Sequence, residues 1–403
     1  MDLEQGLVTT DAGKLKLLLN VSRLVAGRLE MKALIAEVVR QASRLVSADR
    51  STLWLYDADR HDIYTFLGEG LSKEVRLPVG RGVAGLAAKE RRTIVTNDAY
   101  SSPYFDPETD RRSGYLTKSL LAVPMETHDG RLLGCFQSVN RLDEQAPGRL
   151  GEFTEADVEL LSALAAVAAV AVENSQLYEE QRRQFNSFIV TLAQTVDARD
   201  ATTSNHTMMV TGIAVAVARQ LGLADETVER IRMAAVLHDY GKIGVPDSVL
   251  LKPSGHDADE RRQMKSHVLK TILVLRKIAF RRDLADIPLI AGMHHEKLDG
   301  TGYPFGLQGE EIPLEGRVLA VADVFQALIQ TRTYKRGLPP LEALEMCRKM
   351  TQPHVDHHRV ASGAHLDANV VEGLAEVLEL CHSDLDFFER ASGWDRMLGN
   401  PGG

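Results

Sequence analysis

The chain has 403 residues, of which 44% are hydrophobic and 26% charged, a composition that predicts two ordinary globular domains. A net charge of -9 argues against nucleic acid as a partner, so a phosphate-bearing ligand would need a local cluster of Lys and Arg. Three widely separated cysteines fit neither a disulfide framework nor a zinc knuckle. With no secretory signal and no apolar run of about 20 residues, we expect a cytoplasmic protein that does not contact the membrane directly.

The first part of the chain has a helical pattern followed by strand patterns. Apolar residues recur at helical spacing over residues 14–46 and predict two helices joined near Glu30 and Met31. Short segments rich in β-branched or aromatic residues then predict strands at 51–56, 62–67, 93–96, 119–124 and 132–139. Helices flanking a mainly antiparallel sheet predict an α+β sensor-like domain.

Residues 17–177 resemble a GAF domain, a small ligand-sensing fold. Residues 117–124 are similar to the strand that opens the second half of such domains, and residues 80–86 to their central turn into a helix. A pattern of cyclic-nucleotide-binding GAF domains is matched by Asn140, Arg141, Phe153 and Asp157. Val158 stands where that pattern ends in glutamate. The resemblance implies a small-molecule ligand that the sequence does not identify. The pattern hints at a cyclic nucleotide, and the alternative is that it only supports the fold.

Residues 153–193 contain no Pro or Gly and predict one long connecting helix. A candidate pairing seam is formed by Leu161, Leu164, Ala168 and Ala171. Such a seam favours a parallel homodimer, in which a continuous helix transmits movement from a sensor to an effector. The alternative is that the seam packs against its own domain.

From residue 187 onward, helical periodicity predicts an all-α second half. Predicted core-facing positions carry His206, His238 and His267, and an apolar run contains Asp323. The polar motifs add Asp239, His294 and His295 as possible ligands. Any one of these histidines alone is more typical of a hydrogen-bonded core residue. Together, five imidazoles and two carboxylates exceed what one tetrahedral ion uses and suit two metal ions bridged by a carboxylate.

Three motifs in residues 188–388 resemble the HD-GYP family, a branch of the HD metallophosphohydrolases. They are residues 238–247, 294–304 and 321–323. The resemblance implies a phosphodiesterase that linearises cyclic di-GMP, a bacterial second messenger, to pGpG and in some cases continues to GMP. The family pattern assigns Asp239 to both metal ions. It assigns one ion to His206, His238 and Asp323, and the other to His267, His294 and His295.

Other residues of these motifs are candidates for catalysis and substrate contact. Lys242 follows His238 by four residues, so its ammonium can approach the same pocket and stabilise phosphoryl oxygens. We therefore predict that Lys242, His238 and Asp239 are catalytic, and a surface role is the alternative for the lysine. The resemblance implies substrate contacts by Gly302, Tyr303, Pro304, Arg332, Tyr334 and Lys335, or a solvated basic turn at the last three. It also implies that Glu296 or Asp299 orients the neighbouring histidines.

Histidine and carboxylate ligands admit iron, manganese, zinc or nickel, and the family resemblance favours iron or manganese. Met209 stands where the family has an arginine, and Gln326 where an aspartate is common. Thr202 cannot act as a carboxylate ligand for a third ion. An additional cluster, expected in an exposed loop, comprises His354, His357 and His358.

Three hypotheses follow. The chain is an active cyclic di-GMP phosphodiesterase gated by its sensor, a weakly active or inactive binder that signals to a partner protein, or an HD phosphohydrolase for another cyclic dinucleotide or nucleotide. The predicted segments are a tail at 1–15, the sensor at 16–178, the connecting helix at 158–195, the phosphodiesterase domain at 187–390 and a tail at 391–403.

Overall fold

The computed structural model describes residues 31–68, 74–143, 146, 148–199, 205–252, 255–331, 336–355, 361–393 and 397. The predicted first helix and both predicted tails lie outside these ranges, apart from a few residues of the second tail. The chain divides into two compact units, Met1–Glu180 and Gln181–Gly403. Within the described ranges, no helix is both long enough and apolar enough to cross a membrane.

The N-terminal unit is built on an antiparallel sheet. Its elements are α1 (Met31–Leu45), β1 (Ala48–Asp57), β2 (Asp62–Gly68), β3 (Arg76–Pro78), α2 (Gly82–Glu90), β4 (Ile94–Thr96), α3 (Glu108–Ser113), β5 (Leu120–Glu126) and β6 (Leu132–Arg141). The strand order is β3-β2-β1-β6-β5-β4, and every pairing is antiparallel. The five predicted strands are confirmed, and β3 was missed because three residues are too few to show an alternating pattern.

Successive residues of β1 face opposite sides of the sheet, as the strand period of two requires. Leu53 and Leu55 join the core formed with α1, whereas Trp54 joins a second core with Val83 and Ala87 of α2. The sheet is therefore covered on both faces, and the predicted α+β sensor fold is confirmed.

The predicted long helix is confirmed as α4 (Glu155–Asp197). The predicted pairing seam is wrong, because its four residues are buried in the core of the N-terminal unit. They are Leu161, Leu164, Ala168 and Ala171. The last turns of α4 contribute Ile189, Val190 and Ala193 to the core of the C-terminal unit.

The C-terminal unit is almost entirely helical. Its α-helices are α5 (His206–Gln220), α6 (Asp225–Leu237), α7 (Asp247–Leu250), α8 (Ala258–Leu275), α9 (Ile287–Ala291), α10 (Leu314–Ile329), α11 (Pro340–Met350), α12 (Ala368–Leu380) and α13 (Asp386–Ala391). Short 3₁₀ helices occur at Tyr240–Gly244, Arg282–Leu284 and Gly309–Glu311. The one departure from the all-α prediction within the described ranges is a hairpin of β7 (His354–Val355) and β8 (Ala361–Ser362). His354 thus lies in a strand, while His357 and His358 lie outside the described residues.

Candidate metal centre

The structure brings all seven predicted ligands together, mostly at helix ends. His206 begins α5, His238 and Asp239 follow α6, and His294 and His295 follow α9. His267 and Asp323 lie within α8 and α10. Six of the seven side chains are buried, and His295 is half-buried.

The ligands form two clusters, in each of which the candidate ligand atoms lie within 4.8 Å of one another. The first consists of His206, His238 and Asp323, and the second of His267, His294 and His295. The Nε2 atoms of His206 and His238 are 3.3 Å apart. Those of His267 and His294 are 3.4 Å apart. Ring nitrogens this close need a proton or a cation between them.

Asp239 lies between the clusters and turns one carboxylate oxygen toward each. Its Oδ2 is 3.5 Å from His206 Nε2 and 3.4 Å from His238 Nε2. Its Oδ1 is 3.3 Å from His267 Nε2 and 3.9 Å from His294 Nε2. This is the arrangement that a bridging carboxylate requires.

Three of the histidine rings are anchored in the same way by the main chain. Nδ1 donates to the carbonyl oxygen three residues earlier, at 2.7 Å in each case. The pairs are His238 with Ala235, His267 with Met264, and His294 with Ala291. A carbonyl can only accept, so Nδ1 carries the hydrogen and Nε2 is left to face the centre.

His206 is anchored by a side chain instead. Its Nδ1 lies 2.6 Å from Oε1 of the buried Gln326, which accepts the ring hydrogen. Gln326 stands where an aspartate is common in the family. An amide oxygen accepts a hydrogen bond as a carboxylate oxygen does, so the orienting contact is kept.

Charges around Asp239 are strongly coupled. Burial disfavours its carboxylate, but Lys242 and the neighbouring imidazoles outweigh burial and hold the pKa of Asp239 well below its usual range. The Lys242 ammonium lies 2.5 Å from Asp239 Oδ2. Burial likewise opposes a charged His238, yet the Asp239 and Asp323 carboxylates raise the pKa of His238 to about 9.

The second cluster behaves differently. Burial lowers the pKa of His295 to about 4. Burial, together with the imidazoles of His295 and His238, also lowers the pKa of His294 well below its usual range. Both rings are neutral near pH 7, so their lone pairs are free to bind a cation.

The motif that carries His238 and Asp239 lies at a break in the helix, so Lys242 does not follow His238 by one turn of a continuous α-helix. Helix α6 ends at Leu237, and a 3₁₀ helix follows. At Gly241 a Cβ atom would lie 1.9 Å from the carbonyl oxygen of His267, so only glycine allows this close packing against α8. Thr271 stabilises the turn, because its Oγ1 accepts a hydrogen bond from Gly241 N at 2.8 Å and donates one to His238 O at 3.1 Å. Sequence reasoning missed Thr271.

Glu296 holds a loop rather than a histidine. Its two carboxylate oxygens accept from the amides of Phe305 and Leu307, at 2.7 and 3.1 Å. The Asp299 carboxylate accepts from both the amide and the hydroxyl of Thr301. The orienting role expected of Glu296 or Asp299 is thus filled by main-chain carbonyls and Gln326.

The loop packs Tyr303 beside the second cluster. A Cβ atom at Gly302 would lie 2.4 Å from Lys297 N, so this glycine allows the loop to approach its own backbone closely. The rings of Tyr303 and His295 are 4.7 Å apart and inclined by 32°. Lys265 lies over the same Tyr303 ring, at 4.7 Å. Pro304 follows in the loop, whereas Arg332, Tyr334 and Lys335 lie outside the described residues.

Comparison with known domain families agrees with this geometry. Residues 30–172 match the model of the GAF domain. Residues 190–358 match the model of the HD domain. The chain carries a GAF domain followed by an HD domain. Its resemblance to these two kinds of domain is therefore confirmed, and the HD assignment implies binding of divalent metal.

Curated relatives match about half of the chain. A protein of Xanthomonas campestris, cyclic di-GMP phosphodiesterase response regulator RpfG, is 41% identical over 203 residues, covering 50% of this chain and 51% of its own length. The 3'3'-cGAMP-specific phosphodiesterase 2 of Vibrio cholerae is 39% identical over 184 residues, or 46% of this chain and 35% of its own. A cyclic di-GMP phosphodiesterase of Thermotoga maritima is 39% identical over 151 residues, or 36% and 39%. The chain thus spans about half the length of these relatives, or less.

The GAF domain contains a cavity of about 230 Å³ beside the sheet. Its lining is mainly apolar, with Trp54, Phe105 and Leu120, and it includes Arg50 and Arg81. None of the four residues of the cyclic-nucleotide-binding pattern lines it. Asn140 and Asp157 instead bond to the surrounding backbone and side chains, which favours the structural interpretation of that pattern.

Proposed function

We propose that the HD domain is a binuclear metal phosphodiesterase that hydrolyses cyclic di-GMP to pGpG, and further to GMP where the reaction continues. The observation that carries the proposal is the position of Asp239 between two histidine clusters, with one oxygen toward each. Relatives named as cyclic di-GMP phosphodiesterases support the choice of substrate.

The residues fit two divalent ions. In the second cluster, Nδ1 of both His267 and His294 donates to a carbonyl, so two Nε2 lone pairs face each other at 3.4 Å. Facing lone pairs repel unless a proton or a cation lies between them. His206, His238 and Asp323 would hold one ion and His267, His294 and His295 the other, with Asp239 shared. Imidazole and carboxylate donors admit several divalent metals, and the resemblance to the HD-GYP family favours iron or manganese over zinc or nickel.

Two bound metal ions supply an activated water and offset negative charge on a phosphodiester. The protein's own residues hold and orient the substrate. Lys242, held at Asp239, would place its ammonium against the phosphoryl oxygens. The Tyr303 ring offers an aromatic face beside His295. Gly302 and Pro304 fix the loop that presents this ring, and Arg332, Tyr334 and Lys335 are further candidates for substrate contact.

The test is turnover of cyclic di-GMP by protein purified without oxygen and loaded with iron or manganese, with products separated by chromatography. We expect metal-dependent pGpG that is lost in His238→Ala and kept in Asp283→Ala, which removes an exposed carboxylate paired with Arg281. Tight binding without product from fully loaded protein would reject hydrolysis and support a signalling role through a partner protein.

A second candidate substrate is 3'3'-cGAMP, because two relatives named for that activity are 39% and 38% identical over 184 and 168 residues. The two dinucleotides differ in one base, so kcat/KM for each, measured on the same preparation, decides between them. If kcat/KM is higher for 3'3'-cGAMP than for cyclic di-GMP, 3'3'-cGAMP becomes the proposed substrate.

We also propose that the protein is cytoplasmic, which its three unpaired cysteines support. We propose that the GAF cavity binds a regulatory ligand. We further propose that the protein forms a homodimer through α4. With the predicted seam buried, pairing rests on Val170, Leu177 and Phe188, which are exposed apolar residues. Spacings of 7 and 11 residues place them on one face of the helix. Sedimentation should show a dimer that Leu177→Glu dissociates and Arg182→Glu, on the opposite face, does not.

A further inference from the structure

Arg199 makes an unusual set of contacts just beyond the end of α4. Its guanidinium donates five hydrogen bonds to the segment 242–247. Nη1 donates to the carbonyl oxygens of Lys242 and Ile243, at 3.1 and 2.6 Å. Nη2 donates to Val245 O at 2.8 Å, and Nε and Nη2 both reach Asp247 Oδ1, at 3.0 and 2.7 Å.

These contacts lie at the C-terminal end of a short helix, where main-chain carbonyls need hydrogen-bond donors. The last carbonyls of any helix have no partner within the helix, and a positive charge there is favourable. The 3₁₀ helix Tyr240–Gly244 is only five residues long and ends at the carbonyls that Arg199 binds. On the other side, Lys270 of α8 donates to Gly244 O at 2.6 Å. The segment that carries Lys242 is thus fastened by two cations.

We propose that Arg199 is a positioning residue that sets Lys242 against the metal centre and ties it to the end of α4. The proposal rests on the proposed function of Lys242. Arg199 itself does not touch the reacting atoms. It continues the hydrogen bonding of α4, since its amide donates to Val196 O at 3.0 Å, so displacement of the last turn of α4 displaces the Lys242 segment.

The first test does not depend on the substrate. Arg199→Ala removes all five bonds, and Arg230→Ala is its matched control, because Arg230 pairs with Glu315 at 3.0 Å in the same unit and is similarly half-buried. Hydrogen exchange is measured on the metal-loaded full chain. We expect faster exchange at the amides of Lys242 and Val245 in Arg199→Ala and no change there in Arg230→Ala. Unchanged exchange in both variants would overturn the proposal even if cyclic di-GMP proves not to be the substrate.

The second test asks whether Arg199 acts through Lys242. Because misplacing a catalytic group by about 1 Å can cost up to about 100-fold, we expect Arg199→Ala to lower kcat about 10-fold or more, with KM and metal content little changed. In a Lys242→Met background the same change should have less than about a twofold further effect. Losses that multiply in the double variant would overturn the proposal.

Two milder variants keep the proposal testable if Arg199→Ala does not fold. Asp247→Asn keeps the three carbonyl contacts and removes only the carboxylate charge, so its exchange and kcat should shift in the same direction but less. Arg199→Lys keeps the charge, but a single ammonium cannot span three carbonyls, so it should lie between Asp247→Asn and Arg199→Ala. Wild-type values in both the lysine and asparagine variants would contradict the positioning role.

Discussion

The two domains bury polar side chains in different ways. In the GAF domain, the Asn140 amide accepts from the amides of Lys118 and Ser119 and donates to Leu116 O and the Tyr115 hydroxyl. All of its hydrogen-bonding capacity is used within the domain. In the HD domain, by contrast, imidazole nitrogens face one another around a carboxylate. A satisfied polar group supports a fold, whereas converging lone pairs indicate a site for an ion.

The strongest way to break this contrast is to remove the shared carboxylate charge with Asp239→Asn. Two ions together contribute several kcal/mol to transition-state stabilisation, so we expect turnover to fall about 1000-fold or more. Metal content, measured by mass spectrometry of the purified protein, should fall as well. Asp283→Asn, at an exposed ion pair, should change neither quantity. Full metal content in Asp239→Asn would mean that the carboxylate does not join the two clusters.

Gln326→Ala tests His206, whose ring is anchored by the side chain of Gln326. Loss of an orienting partner typically lowers metal affinity about 10- to 100-fold, and titration of stripped protein with manganese measures this. Gln326→Glu restores an acceptor for His206 Nδ1 and should recover most of the affinity. The control is Gln263→Ala, at an exposed position on α8. Equal affinity in the alanine and glutamate variants would show that His206 needs no such partner.

Asn140→Gly tests the other half of the comparison, the hydrogen-bonded polar side chain of the GAF domain. Asn140 has a φ of 57°, which glycine also tolerates, so the change isolates the lost hydrogen bonds. Leaving the backbone groups of Leu116, Lys118 and the buried Ser119 without this side-chain partner should destabilise the protein by about 2 kcal/mol or more, with metal content unchanged. Calorimetry measures the loss against Arg91→Gly, an exposed position with φ of 51°. A change in metal content would contradict a purely structural role.

Thr271→Val is the smallest of these changes. It keeps the shape of the side chain but leaves the amide of Gly241 and the carbonyl of His238 without their hydroxyl partner. We expect a loss of about 1–3 kcal/mol in unfolding free energy, measured by denaturant titration. Thr195→Val removes an exposed hydroxyl from α4 and should cost much less.

Periodicity and residue type predict five strands of the N-terminal unit and the long helix, and they single out the seven candidate ligands that the structure brings together. The end of α6 at Leu237 was not predictable, because the apolar pattern continues into His238 while the break depends on Gly241 packing against α8. The same limit applies to Gln326, which lies 120 residues from its partner His206. Contacts this distant in sequence leave no periodic signal. For the seam of α4, the apolar pattern was visible but its partner was assigned wrongly. A pattern shows that a helix face is buried, but it does not identify the surface that covers that face.

The anchoring of the histidine rings also bears on how this centre tolerates sequence change. His238, His267 and His294 each rely on a carbonyl of the main chain, which every amino acid supplies. Substitution at Ala235, Met264 or Ala291 leaves those acceptors in place as long as the helices persist. The orientation of these three rings therefore depends little on which amino acid occupies position 235, 264 or 291. Among these four anchored rings, His206 alone depends on a codon elsewhere in the gene, that of Gln326.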